Sequence, residues 1–419
     1  MPEANKTKPV RTTVIPSRTF KTTTFVLHLR TPLQKEYLTE KALLPSVLER
    51  GSRHFPSREI IQAALEEMYG AHLTADAVKK GEHHILSFKL EVANEKFLNE
   101  AVPLTERAVQ MLASVALYPN LNEKGAFPDT PVQEEKRNHA QKLAGVKDDK
   151  MRYANKRLAE VMCEGEPYSL PVLGYEQQLE AITGKSLAEA HQALLKDSSI
   201  DLYVVGDVRE QEIIQYVEQY MQFSSRPLAP LQTEFKKPEK VREVKETDEI
   251  SQAKLHLGFR TPVVFGSKRY FALQVMNSLF GGAPHSKLFT NVREKESLAY
   301  YAASRVESHK GLVIVMAGIE TAQYDKALSI ILQQLDDLKN GEFSEEDVAK
   351  SKAVLRNQLL ETMDSPRGRV ELEYHGALIG EDWDAGSWIT EIDKVQSADV
   401  KAAAASLELD TIYFLHGKG

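Results

Sequence analysis

A chain of 419 residues is longer than one hydrophobic core covers, since cores stop growing at roughly 250–300 residues, so two or three domains are expected. Its 42% hydrophobic and 27% charged residues describe a globular protein, and a net charge of −7 without a Lys/Arg block among aromatics argues against a nucleic-acid partner. One cysteine, Cys163, excludes an intrachain disulfide and a multi-cysteine metal site and suits a reducing compartment such as the cytosol; no run of 18 apolar residues spans a membrane.

The first 24 residues are basic, rich in Thr and Ser and nearly free of acids. That composition also occurs in mitochondrial transit peptides, which makes the mitochondrial matrix a second location beside the cytosol. The alternation in residues 12–15 and 20–29 predicts strands instead. A helix follows over 38–49, with Leu43, Leu44, Val47 and Leu48 at helical spacing and Gly51 as its C′ glycine. Ser57 is placed to cap a second helix that buries Ile60, Ile61, Ala64, Leu65 and Met68 and closes at Gly70. Residues 84–92 alternate as a strand, 98–117 return to helix, 134–163 read as one long charged helix, and 200–206 form a buried strand. The Pro- and Lys/Glu-rich residues 227–242 are the linker.

The same order then returns. Residues 254–260 (KLHLGFR) are strand-like, as 25–30 are (FVLHLR). A helix over 270–280 stops at Gly281-Gly282, and 300–306 and 311–319 read as paired strands. Ser344 and Asp347 make a capping box, with Phe343 and Val348 as its hydrophobic staple, and 411–415 is a last strand. The fold class is α+β: two similar domains, each a mostly antiparallel sheet packed with helices, at 1–226 and 243–419.

Three stretches carry chemistry. LLPSVLERGS (43–52), EPYSLPVLG (166–174) with the strand to Asp207, and GGAPHSKLFTNVREKESLAYY (281–301) together resemble the pitrilysin/insulinase (inverzincin) peptidases, in the small-subunit branch that includes the mitochondrial processing peptidase. In active members a His-x-x-Glu-His helix puts two imidazoles on one face, where both reach one Zn²⁺, with a Glu to polarise the bound water. Counting back from Gly51, the three motif positions are Ala42, Pro45 and Ser46. None supplies an imidazole or a carboxylate, and the more distant ligand falls near Gln141 or Lys142. No other histidines replace the motif: His83 and His84 are adjacent and face opposite sides of a strand, while His28, His72 and His139 stand alone. The chain is therefore expected to bind no cofactor and to cut no peptide bond alone.

The resemblance also implies a surviving function. In the family an Arg and a Tyr seven residues later bind substrate, and Arg293 and Tyr300 match them. A guanidinium holds a substrate carbonyl or carboxylate with directed bonds, and a phenol donates to a developing oxyanion. Two-chain members combine the zinc of one subunit with the Arg-Tyr pair of the other. The implied role is a non-catalytic subunit beside a zinc-competent paralogue, with peptide as substrate and no membrane partner. The alternative is a non-proteolytic scaffold or peptide-binding homodimer. Gly281-Gly282 runs straight into Ala283-Pro284-His285, so the long glycine-rich loop of the mitochondrial non-catalytic subunit is missing.

Overall fold

A computed structural model describes residues 10–100, 102–222 and 233–418. The chain divides into two compact units, the first drawn from Met1–Gly145, Leu170–Ala229 and Ser365–Glu371. Its sheet has five strands: β1 (Arg11–Pro16), β2 (Thr22–Pro32), β3 (His72–Lys80), β4 (His83–Ala93) and β5 (Ser199–Gly206), in the order β1-β5-β2-β4-β3. Only β1 and β5 run parallel. The two-residue period of β2 sends Phe25, Leu27 and Leu29 into the core, paired with Leu90, Phe88 and Leu86 of β4. Helices α1 (Leu38–Leu48), α2 (Arg58–Glu67) and α3 (Leu104–Leu117) contribute to the same core.

The second unit is built from Val146–Ser169, Pro230–Asp364 and Leu372–Gly419. Strands β6 (Arg242–Asp248), β7 (Ala253–Arg260), β8 (Ala299–Glu307), β9 (Leu312–Ile319) and β10 (Glu408–Gly417) take the order β6-β10-β7-β9-β8, with β6 and β10 parallel and the rest antiparallel. This is the topology of the first sheet, so the expected pair of similar α+β domains is present. His28 of β2 and His256 of β7 sit at matching places, each in a Leu-His-Leu triplet on the central strand.

Several boundaries differ from expectation. The single helix over 134–163 is two helices, α4 (Asp129–Asp148) and α5 (Lys150–Met162), because the Asp149 carboxylate caps the amides of Met151 and Arg152. The domains do not follow the division at 226 and 243 throughout: 146–169 belongs with the second unit and 365–371 with the first. The apolar face of α5 was not read from the sequence, which showed only a charged helix. Ala154 and Leu158 pack on Ile314, Tyr413 and Leu415, and Met162 on Leu312. Of the linker, 227–232 lie outside the described residues, 233–241 have no regular structure, and Arg242 already opens β6.

Helix α3 starts at Leu104, not 98, since Pro103 suits the end of a helix and not its interior. Ile60 is exposed rather than buried, whereas Ile61 and Leu65 are core. Gly51 is no left-handed cap: a Cβ there would lie 2.8 Å from the carbonyl oxygen of Pro56, so close approach explains the glycine. Beyond Asn277 the helix from Tyr270 widens into a π-type turn through Gly282. The Ser344–Asp347 capping box forms as expected at the head of the helix Glu345–Met363.

Candidate functional site

The three motif positions lie on α1. A proline inside a helix deletes an amide donor and costs about 3 kcal/mol, yet the helix persists because Leu43, Leu44, Val47 and Leu48 are fully buried around Pro45. Ala42 is buried. Ser46 opens onto a cavity of about 620 Å³, with Glu49 and Arg50 from the same helical stretch. Helix α4 brings Glu135, Asn138, Gln141 and Lys142 to this space, and α2 brings Arg58 and Gln62. Thus Ser46, Gln141 and Lys142, distant in sequence, line one cavity, while Ala42 and Pro45 do not line it.

The cavity holds a mixed set of charges. The Arg50 guanidinium pairs with Glu135 and reaches Glu134 at 3.2 Å, and Asn138 donates to Glu135 at 3.2 Å. Burial pushes the Glu49 carboxyl up to about 7, against the pull of the Ala75 amide and of Lys142; Asp76 and Glu135 push the same way as burial. His139 on α4 turns elsewhere, with its Nε2 donating to the Leu173 carbonyl at 2.8 Å, and burial lowers its pKa from the usual imidazole value against the pull of that bond.

Zinc does not fit these residues. A methyl group, a pyrrolidine ring and one hydroxyl stand at the three motif positions, with an amide or an ammonium near the fourth, and the ammonium of Lys142 repels a cation. Among the described residues no three His, Cys, Asp or Glu side chains gather as a metal site requires. His83 and His84 are both held near pKa 4, chiefly by burial.

Arg293 and Tyr300 both belong to the second unit. Arg293 is exposed on the wide turn Leu288–Lys295, with its guanidinium carbon 4.6 Å from the ring centre of Phe289. Ser297 then takes a left-handed conformation (φ 51°) ahead of β8. Tyr300 is the extra residue of a bulge: Ala299 pairs with Ile319 and Tyr301 with Gly318. A bulge on an edge strand re-aims a side chain, and Tyr300 is 64% exposed, unlike a packed sheet aromatic. Its neighbour Tyr301 is only partly buried, and its ring sits below Lys254 at 5.5 Å.

One polar cluster escaped sequence reasoning. Arg260 donates to Glu166 and to Asp410, each at 2.6 Å, and to the Met162 carbonyl at 2.7 Å. Lys310 reaches the second Glu166 oxygen at 2.5 Å. All four charged side chains are almost fully buried. Burial pushes the Glu166 carboxyl up, but Arg260 and Lys310 together outweigh it and hold it below its usual range. The available signal was an arginine closing the apolar run 254–260.

Residues 181–355 match the family model described as "Peptidase M16 inactive domain". The chain is 42% identical over 406 residues to "Probable inactive metalloprotease YmfF" of Bacillus subtilis, covering 96% of this chain and 95% of that one. It is 28% identical over 244 residues to "Uncharacterized zinc protease YmxG" of the same organism, covering 57% and 58% of the two chains. A conserved protein from Enterococcus faecalis superposes with a TM-score of 0.91 at 32% identity, covering 99% of this chain and 98% of that one.

Proposed function

The chain belongs to the M16 peptidase family, and from that premise we propose that it is a non-catalytic subunit of a two-chain zinc peptidase, offering Arg293 and Tyr300 to peptide held at a paralogous partner's metal site. The observation that carries this reading is the contrast between two places. Helix α1 has Ala42, Pro45 and Ser46 at the positions that the resemblance matches to the family's ligands and base, whereas Arg293 and Tyr300 match its Arg-Tyr pair and Tyr300 is exposed on a bulge. A side chain with no packing role at such a bulge is available to a ligand. The cytosol is the proposed location, and zinc is expected only in the partner.

Arg293 would hold a carbonyl or carboxylate of the peptide, and the Tyr300 hydroxyl would donate to the oxygen that gains charge as the peptide carbon becomes tetrahedral. Similarity to a relative named as a zinc protease supports the existence of metal-bearing paralogues.

The test is metal content and peptidase assay of the purified chain, alone and co-expressed with a His-x-x-Glu-His paralogue. Alone it is expected to hold no stoichiometric zinc and to leave peptides uncut. In the reconstituted pair, Tyr300→Phe should cost about 10²–10³ in rate, the usual loss for one oxyanion donor. Unchanged activity for both Tyr300→Phe and Arg293→Ala would sink the shared-site idea. A chain that forms only homodimers and captures peptides without turnover would replace the subunit reading with a peptide-binding scaffold.

A further inference from the structure

The cavity beside α1 contains more charge than its internal ion pairs consume. Of the lining, Arg50 pairs with Glu135 and also reaches Glu134, and Asn138 donates to Glu135. Ile61 and Leu65, both buried, stand with Leu73 as an apolar wall. Three groups remain: Arg58 on the first turn of α2, Lys142 on α4 and Glu49 just past α1. Among the described residues, neither Arg58 nor Lys142 makes an ion pair or a side-chain hydrogen bond. Two cations without a salt bridge or side-chain hydrogen bond, one of them in electrostatic contact with Glu49, thus line with that carboxyl a space sized for a small ligand.

From this distribution we infer that the cavity binds the carboxylate of an apolar α-amino acid, free or at the C-terminus of a peptide, between Arg58 and Lys142. The aliphatic side chain then lies on Ile61, Leu65 and Leu73, and the α-nitrogen donates to Glu49. Each part of the lining has a role in this arrangement. Arg58 offers a planar fork suited to two carboxylate oxygens, and Lys142 a point charge beside it. Glu49 sets the orientation, because an anion presented backwards would meet a carboxylate. It also disfavours phosphate, whose larger charge would face Glu49 and leave the apolar wall unused. A metal ion is disfavoured by the two cations. The inference needs no partner subunit and does not involve Arg293 or Tyr300.

Calorimetric titration of the full chain tests it, with leucine, N-acetyl-leucine, their carboxamides and inorganic phosphate as probes. At least one of the two free acids should bind, and its carboxamide should bind at least tenfold more weakly. Arg58→Met and Lys142→Met should each weaken the acid at least tenfold while melting like the wild type, since both side chains are exposed and hold nothing in place. Binding of leucine alone assigns the free amino acid, whereas binding of N-acetyl-leucine assigns a peptide end. The inference is overturned if no acid binds, if the carboxamides or phosphate bind as well as the acids, or if both charge variants leave the affinity unchanged.

Discussion

Replacing Glu49 with Gln isolates a charge that folding places in an unfavourable position. In the folded chain the carboxyl titrates near 7, against 4.5 when free. The fold therefore holds a proton that the unfolded chain has released between pH 4.5 and 7. Stability must fall as pH rises through that window and level off above it. Taken at 1.36 kcal/mol per pH unit, the interval corresponds to about 3 kcal/mol. Water reaching the open cavity screens the charge, so about 1–2 kcal/mol is the expected loss. Glutamine keeps the shape and can accept from the Ala75 amide, but it has no proton to release. At pH 5 the two proteins should be about equally stable, and at pH 8 the variant should be the more stable by about 1–2 kcal/mol. Equilibrium urea unfolding at both pH values reads this. The difference between variant and wild type is decisive, because buried histidines impose an opposite trend on both curves. Equal stability at pH 8, or a variant weaker there than at pH 5 relative to wild type, would refute the reasoning.

Arg260→Met leaves Glu166 and Asp410 buried with fewer partners and should cost about 3–5 kcal/mol, measured by denaturant unfolding. A loss below about 1 kcal/mol would mean that water reaches the cluster. Gly51→Ala puts a Cβ 2.8 Å from the Pro56 carbonyl oxygen and should destabilise by about 1–3 kcal/mol, whereas a left-handed cap would have shown a positive φ. His256 is fully buried, lacks a hydrogen-bond partner among the described residues, and is held near pKa 3 by burial. It is neutral in the fold and protonated in the unfolded chain between about pH 3 and 6.5, so it removes stability as pH falls through that range. His256→Leu should narrow the gap in melting temperature between pH 7 and pH 4.5, and an unchanged gap would count against it.

The elements legible in the sequence were those whose signal is local. The alternation of β2, β4 and β7, the capping box at Ser344 and the cap at Ser57 needed only near neighbours. Strand β3 was missed: its half-buried residues, Leu73, Thr74 and Ala75 among them, give weak contrast on an edge strand. The break at Asp149 was missed because a capping aspartate inside a charged helical run looks like any other polar residue.

By itself the sequence showed that α1 contains no His-x-x-Glu-His, that two halves share one plan, and that Arg293 and Tyr300 stand seven residues apart where a helix-like turn leads into a strand. These depend on residue identity and spacing, which folding does not alter. Only the tertiary structure brought Ser46, Gln141 and Lys142 to one cavity, buried Glu166 with Arg260 and Lys310, and put Tyr300 on a bulge. Those outcomes depend on burial and on pairing between residues far apart in the chain, because desolvation and charge act through space.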